Sequence, residues 1–176
     1  HLTEYSTLNS ARDLEILRAV LGDEKLNFLG KSYGTYLGTL FAKLFPKSVG
    51  RFVLDGAVDP NSSNREAVLG QAIGFELALD AFINNCLKSR SCALTGDLQS
   101  ARIQIVDLLT KTAITPLESK SGREVTEGLV LLGIASALYD SESGWPVLRD
   151  AFKEAILGSG TSFLTLADQY AARQEN

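Results

Sequence analysis

Apolar residues recur at Ala11, Leu14, Leu17 and Leu21, three and four positions apart, with Arg12, Asp13, Glu15 and Arg18 between them. That spacing predicts an amphipathic helix over residues 7–21. Gly22 stands where a left-handed cap residue ends a helix, and Asp23-Glu24-Lys25 makes a polar turn. The run at 26–29, Leu-Asn-Phe-Leu, is short and bounded by that turn and Gly30, so it reads as a buried strand. Beyond Gly34, the positions Tyr36, Leu37, Leu40, Phe41 and Leu44 return to helical spacing until Pro46 stops it. Gly34 and Gly38 fall one turn apart on this helix, where two missing side chains would let it lie close against a sheet. Arg51-Phe52-Val53-Leu54 forms a second short strand, and residues 55–60, Asp-Gly-Ala-Val-Asp-Pro, form the loop at its carboxyl end. A strand, a crossover helix and a strand in this length predict a right-handed parallel unit whose carboxyl edge is the ligand-binding edge of open α/β sheets.

From Asn61 onward no strand-like alternation continues. Segments near 64–85, 97–111, 124–139, 145–157 and 161–173 read as helices separated by Gly, Ser or Pro breaks. The expected organisation is an α/β core segment over residues 1–60 and a mostly helical domain over 61–176, without repeats or low-complexity tracts.

Composition narrows the function classes. With 45% hydrophobic and 22% charged residues, the 176-residue chain is an ordinary globular sequence able to bury a sizeable core. A net charge of -4, with Lys and Arg scattered among acids, offers no basic patch, so nucleic acid is not an expected partner. No apolar run approaches the roughly 20 residues that span a bilayer, and no secretory leader opens the chain. The chain has no Met and begins at His1, which suggests that further sequence, including any export signal, lies upstream.

The chemistry-bearing stretch is Gly30-Lys31-Ser32-Tyr33-Gly34, a Gly-x-Ser-x-Gly pattern. Five residues alone are weak evidence, because Gly and Ser are common. Their placement is informative: the pattern falls where a strand ends and a helix begins, the setting in which a strained turn lifts a serine hydroxyl clear of the sheet and aims helix-start N–H groups at a developing oxyanion. The alternative is a glycine-rich turn whose serine only caps the helix.

The sequence resembles the exported bacterial α/β-hydrolase peptidases of the tripeptidyl aminopeptidase and prolyl aminopeptidase type. The likeness rests on Tyr5-Ser6-Thr7, Ala11-Arg12-Asp13-Leu14, Leu21-Gly22, residues 30–38, Phe45-Pro46 and residues 53–60. It continues more loosely through Ala137-Leu138-Tyr139, Trp145-Pro146 and residues 166–170. Lys31 stands where that family usually has Tyr. The resemblance implies a partial α/β-hydrolase core followed by a helical cap, with Gly30 and Gly34 flanking the elbow. It implies Ser32 as acylating nucleophile and the Tyr33 backbone N–H as one oxyanion donor. It further implies an exported aminopeptidase, secreted or held at the cell envelope, that takes peptide substrates through an acyl-enzyme.

A serine needs a base held by a carboxylate, and in this fold the order along the chain is Ser, then acid, then His. The only histidine, His1, precedes Ser32 and reads as a surface residue. The resemblance places the acid and the histidine after the cap and a Gly-rich oxyanion loop before the first helix. The expectation is therefore the middle of a longer enzyme, with N- and C-terminal segments elsewhere and no turnover from these residues alone. Asp55 and Asp59 are read as loop residues, Asp59-Pro60 starting a turn and Asp55 bonding loop N–H groups, rather than as a triad acid. Cys86 and Cys92, without a nearby His, leave a zinc site unfilled, so they are either free thiols or a disulfide. The resemblance to exported enzymes favours the disulfide. Glu76 and Asp80, four apart on one helix, could hold a substrate ammonium but more often such pairs face solvent. Trp145 and the Tyr139 region are expected in the cap core. No Gly-x-Gly-x-x-Gly, P-loop or metal-ligand cluster is present, so neither cofactor nor metal is inferred. An esterase or lipase with the same elbow, and a degenerate hydrolase that only binds peptides, are the competing readings.

Overall fold

The structure, a computed structural model, describes residues 4–173. Helix α1 (Thr7–Val20) starts at Ser6, whose hydroxyl accepts from the Asn9 N–H at 3.2 Å. Strand β1 (Leu26–Lys31), helix α2 (Tyr33–Leu44), a single 3-10 turn at 46–48 and strand β2 (Val49–Asp55) follow. β1 and β2 pair in parallel, with Phe28 opposite Phe52 and Lys31 opposite Asp55. The ladder is irregular between Leu26 and Phe28. There the Asn27 side-chain oxygen accepts the Arg51 N–H at 3.0 Å, replacing a backbone acceptor.

Five helices complete the chain: α3 (Asn64–Cys86), α4 (Leu98–Ile114), α5 (Glu127–Leu138), α6 (Gly144–Ile156) and α7 (Thr161–Tyr170). Two have side-chain caps that explain where they begin. Ser63 and Glu66 form a reciprocal capping box at the start of α3, Ser63 donating from N–H and Oγ to the carboxylate at 2.8 and 2.7 Å. Asp97 accepts from the N–H and Oγ of Ser100 at the start of α4, and these bonds hold its carboxyl below the usual carboxylate range.

The chain divides into two compact units between Gly70 and Gln71, inside α3. The first unit is organised by aromatics. Phe28 and Phe41 each lie against Phe52, at centroid distances of 5.4 and 5.8 Å, and Ala11 is fully buried where α1 packs on α2. The stripe expected along α1 is only partly covered: Leu17 is 51% and Leu21 66% exposed. Leu14, one turn past Ala11, is half-buried, so the stripe is covered in its first part and stays open at Leu17 and Leu21.

The second unit builds its core from Phe82, Ile105, Val130, Leu148, Phe152 and Phe163. Trp145 joins it, edge-on to Phe82 at 6.0 Å. Tyr139 does not: it is 63% exposed and stacks on Tyr170, so its expected place in the core is corrected. Tyr139 ends α5, where the chain leaves the core, and its hydroxyl bond to Tyr170 raises its pKa. The helical unit also contains paired extended chain that alternation did not reveal. Leu117 and Val125 exchange two backbone hydrogen bonds, at 3.0 and 2.8 Å, around a short hairpin. Pro116 prevents α4 from continuing into this segment. Arg123, from the hairpin, makes a two-pronged ion pair with Asp168 of α7 at 2.5 and 3.2 Å. Cys86, at the end of α3, is joined to Cys92 by a disulfide. Among the described residues no helix is long and apolar enough to cross a membrane.

Candidate active site

β1 carries the chain to Lys31, and the next residue changes its direction. Ser32 adopts φ 51° and ψ -118°, and it is one of two non-glycine residues with positive φ among the described residues, the other being Ala172 after α7. A side chain at positive φ crowds its own backbone, which costs about 1–3 kcal/mol and persists only where neighbours over-determine it. Here three hydrogen bonds do so. The Ser32 N–H donates to the Asp55 carbonyl at 2.9 Å, which fixes the peptide plane before the serine. The Ser32 carbonyl accepts from the Thr35 N–H at 2.9 Å and from the Thr35 hydroxyl at 2.7 Å, which fixes the plane after it.

Close packing explains the glycine before the serine. A Cβ on Gly30 would sit 2.6 Å from the Gly34 carbonyl oxygen and 2.7 Å from the Phe28 ring. The glycines on α2 divide their roles differently from the expected pair. A Cβ on Gly38 would meet the Phe28 ring at 2.8 Å and Leu54 at 3.0 Å, whereas one on Gly34 would meet nothing within 4 Å. Gly38 is therefore the residue that brings α2 onto the strands. Gly34 lies at the second position of the helix, where its Cα faces open space and only its carbonyl makes the tight contact.

Ser32 is exposed and immediately precedes α2, so its hydroxyl stands beside the positive end of a helix. It makes no side-chain cap bond, which removes the capping alternative. Tyr33 is the first helical residue, and an N–H at that position has no acceptor inside its own helix. The Tyr33 hydroxyl is engaged elsewhere, with Thr7 Oγ1 at 2.8 Å. The arrangement offers an accessible oxygen nucleophile next to a backbone donor, the two parts that acyl transfer needs from an elbow.

The other expected residues fall as follows. Asp55 touches the serine through its backbone carbonyl, and no hydrogen bond to its carboxylate forms among the described residues, which corrects the expected side-chain bonds to the loop. Asp59 does start a turn, its carboxylate accepting the Asn61 N–H at 2.9 Å. His1 lies outside the described residues. Glu76 and Asp80 both bind Arg102 of α4, at 2.7 and 2.6 Å. Those bonds, first to Asp80 and then to Glu76, raise the guanidinium pKa. The two acids thus clamp α3 to α4 and are occupied as a pair. No group of three or more His, Cys, Asp or Glu among the described residues is placed to hold a metal ion.

Sequence reasoning missed Thr35. It is 1% exposed and lies on α2 one turn from the serine. The buried polar residue was visible inside the motif's helix, but its second partner, the Val58 N–H at 2.9 Å, belongs to the loop after β2.

The profile of the alpha/beta hydrolase fold matches residues 1–102, more than half of the chain. The chain belongs to the α/β-hydrolase family. It is 36% identical over 183 residues to the serine protease Hip1 of Mycobacterium tuberculosis, covering 99% of this chain and 35% of that protein. The tripeptidyl aminopeptidase of Streptomyces lividans is 31% identical over 168 residues, with 94% of this chain and 30% of the relative covered. Carboxylesterase B of M. tuberculosis is 33% identical over 173 residues, covering 98% and 33%. The chain thus spans about a third of the length of the relatives it matches. The strand, positive-φ serine and helix at residues 26–44 have the strand–turn–helix order in which α/β-hydrolases present a nucleophile.

Proposed function

We propose that this chain carries the nucleophile of a serine peptidase that releases short units from peptide amino termini. The observation that carries the reading is Ser32 itself, exposed at positive φ between a parallel strand and a helix N-terminus. Ser32 Oγ attacks a peptide carbonyl and forms an ester bond while the C–N bond breaks. Its proton passes through a base to the leaving amine, and water then hydrolyses the ester. The developing oxyanion is received by the Tyr33 N–H. Base and orienting acid come from polypeptide outside these 176 residues. Residues 1–60 serve as core and 61–176 as a cap that limits how much peptide can enter. The relatives named as a serine protease and a tripeptidyl aminopeptidase support a peptide substrate. The Cys86–Cys92 disulfide supports an oxidising compartment and hence export.

An esterase is the second reading, favoured by the likeness to a protein named carboxylesterase B. A panel of tripeptidyl and aminoacyl anilides against short acyl esters, assayed with the polypeptide at the full length of its reading frame, separates them. Anilide turnover lost in Ser32→Ala is expected. Ester turnover without anilide turnover establishes the esterase, and peptide binding measured by calorimetry without either activity establishes a binding protein.

A further inference from the structure

One buried hydroxyl joins the serine turn to the loop that leaves the second strand. Thr35 Oγ1 donates to the Ser32 carbonyl at 2.7 Å and accepts from the Val58 N–H at 2.9 Å. Its one O–H donor and one of its two acceptor lone pairs are each taken by a backbone group. Val58 lies three residues beyond β2, past Gly56 with φ +69°, in the connection that leads toward α3. The Thr35 carbonyl is fixed in turn by Thr39 Oγ1 at 2.8 Å.

The consequence is geometric. The torsion ψ of Ser32 is set by the direction of its carbonyl, and that carbonyl has two donors, both from Thr35. The N–H bond belongs to the start of α2 and would survive any side chain. The hydroxyl bond is the one that ties the carbonyl to something other than the helix, because the same oxygen is held by the loop after β2. Without it, the Ser32 carbonyl and the Val58 N–H lose their common partner, and the turn is free to relax toward a less crowded φ and ψ. Relaxation rotates Cβ and moves Oγ relative to the Tyr33 N–H.

We propose that Thr35 is a positioning residue for Ser32: its hydroxyl holds the nucleophile's backbone in the strained conformation and couples it to the exit loop of β2. This rests on Ser32 being the nucleophile. A displacement of the order of 1 Å in a reacting atom is enough to cost about a hundredfold in rate, so the effect falls on kcat rather than on substrate affinity.

The test uses the full-length polypeptide and compares Thr35→Ser, which keeps the hydroxyl, with Thr35→Val, which keeps the volume, and Thr35→Ala, which keeps neither. Rates of fluorophosphonate labelling at Ser32 and kcat and KM on a substrate found for the wild type are read at matched folded fraction. The expected result is that labelling and kcat fall ten- to hundredfold in the Val and Ala variants, with KM within about twofold and the Ser variant within about threefold of wild type. If the Val variant does not fold, the Ala and Ser pair alone carries the comparison. Equal labelling in folded Ala and Ser variants, or a rise in KM at unchanged kcat, overturns the positioning role. Absence of label on Ser32 in the wild type overturns the nucleophile and the positioning role together, and so is distinguishable from failure of the latter alone.

Discussion

At the scale of single residues, the turn at Ser32 is a balance between one strained residue and the contacts that hold it. Its cost of about 1–3 kcal/mol at Ser32 is borne by three hydrogen bonds and by close approach at Gly30. Gly30→Ala would put a methyl group 2.6 Å from the Gly34 carbonyl oxygen, a rigid backbone atom that cannot step aside cheaply. The expected outcome is a loss of about 1–3 kcal/mol in urea unfolding, together with a lower rate of probe labelling at Ser32. A Gly30→Ala protein with unchanged stability and labelling would mean that the tight contact is not a constraint on the turn. The Gly and Ser pattern was legible in the sequence because the fold requires those residues locally. Thr35 was not, because its second partner lies 23 residues further on, and periodicity reports which side of a helix is covered but not what a hydroxyl meets there.

At the scale of elements, boundaries followed local chemistry and lateral packing did not. Helix starts near 64, 97 and 145 were readable from Gly, Ser or Pro breaks and lie within one residue of the starts of α3, α4 and α6, and the Ser63-Asn64-Arg65-Glu66 box is itself a sequence signal for the start of α3. The exposed second half of α1 and the exposed Tyr139 show the limit: an apolar stripe says that a face is fit for burial, not that something buries it. The Glu76 and Asp80 pair was readable as a pair of acids but not as a clamp, since Arg102 comes from another helix. The disulfide after α3 closes a loop between positions six apart, next to the core residues Phe82 and Ile83. Loop-entropy reasoning gives such a closure about 2 kcal/mol, and the double change Cys86→Ala with Cys92→Ala should lower stability by about that amount. Guanidinium unfolding monitored by circular dichroism measures it, and an unchanged midpoint would show that helix packing alone fixes the end of α3.

At the scale of the whole molecule, the two units differ in the size of their cores: among the described residues, Ala11 and Phe41 are the buried hydrophobics of the α/β unit, and the rest belong to the helical unit. Both units leave apolar residues open, Ile114 at 81% and Leu157 at 80% in the helical unit. In the α/β unit Leu29 on β1 is 63% and Val53 on β2 59% exposed. Parallel strands are ordinarily covered on both faces, so these exposed residues support the proposal that further polypeptide completes the sheet and brings the base to Ser32. The central claim is that Ser32 is a nucleophile poised by the elbow and dependent on groups outside residues 1–176. Fluorophosphonate labelling followed by peptide mass spectrometry tests it most directly, on this chain and on the polypeptide at the full length of its reading frame. The account predicts label on Ser32 in the longer protein, none in Ser32→Ala, and little or none in the shorter chain. Label on another residue of the longer protein, or equally fast labelling of Ser32 in the shorter chain, would contradict it.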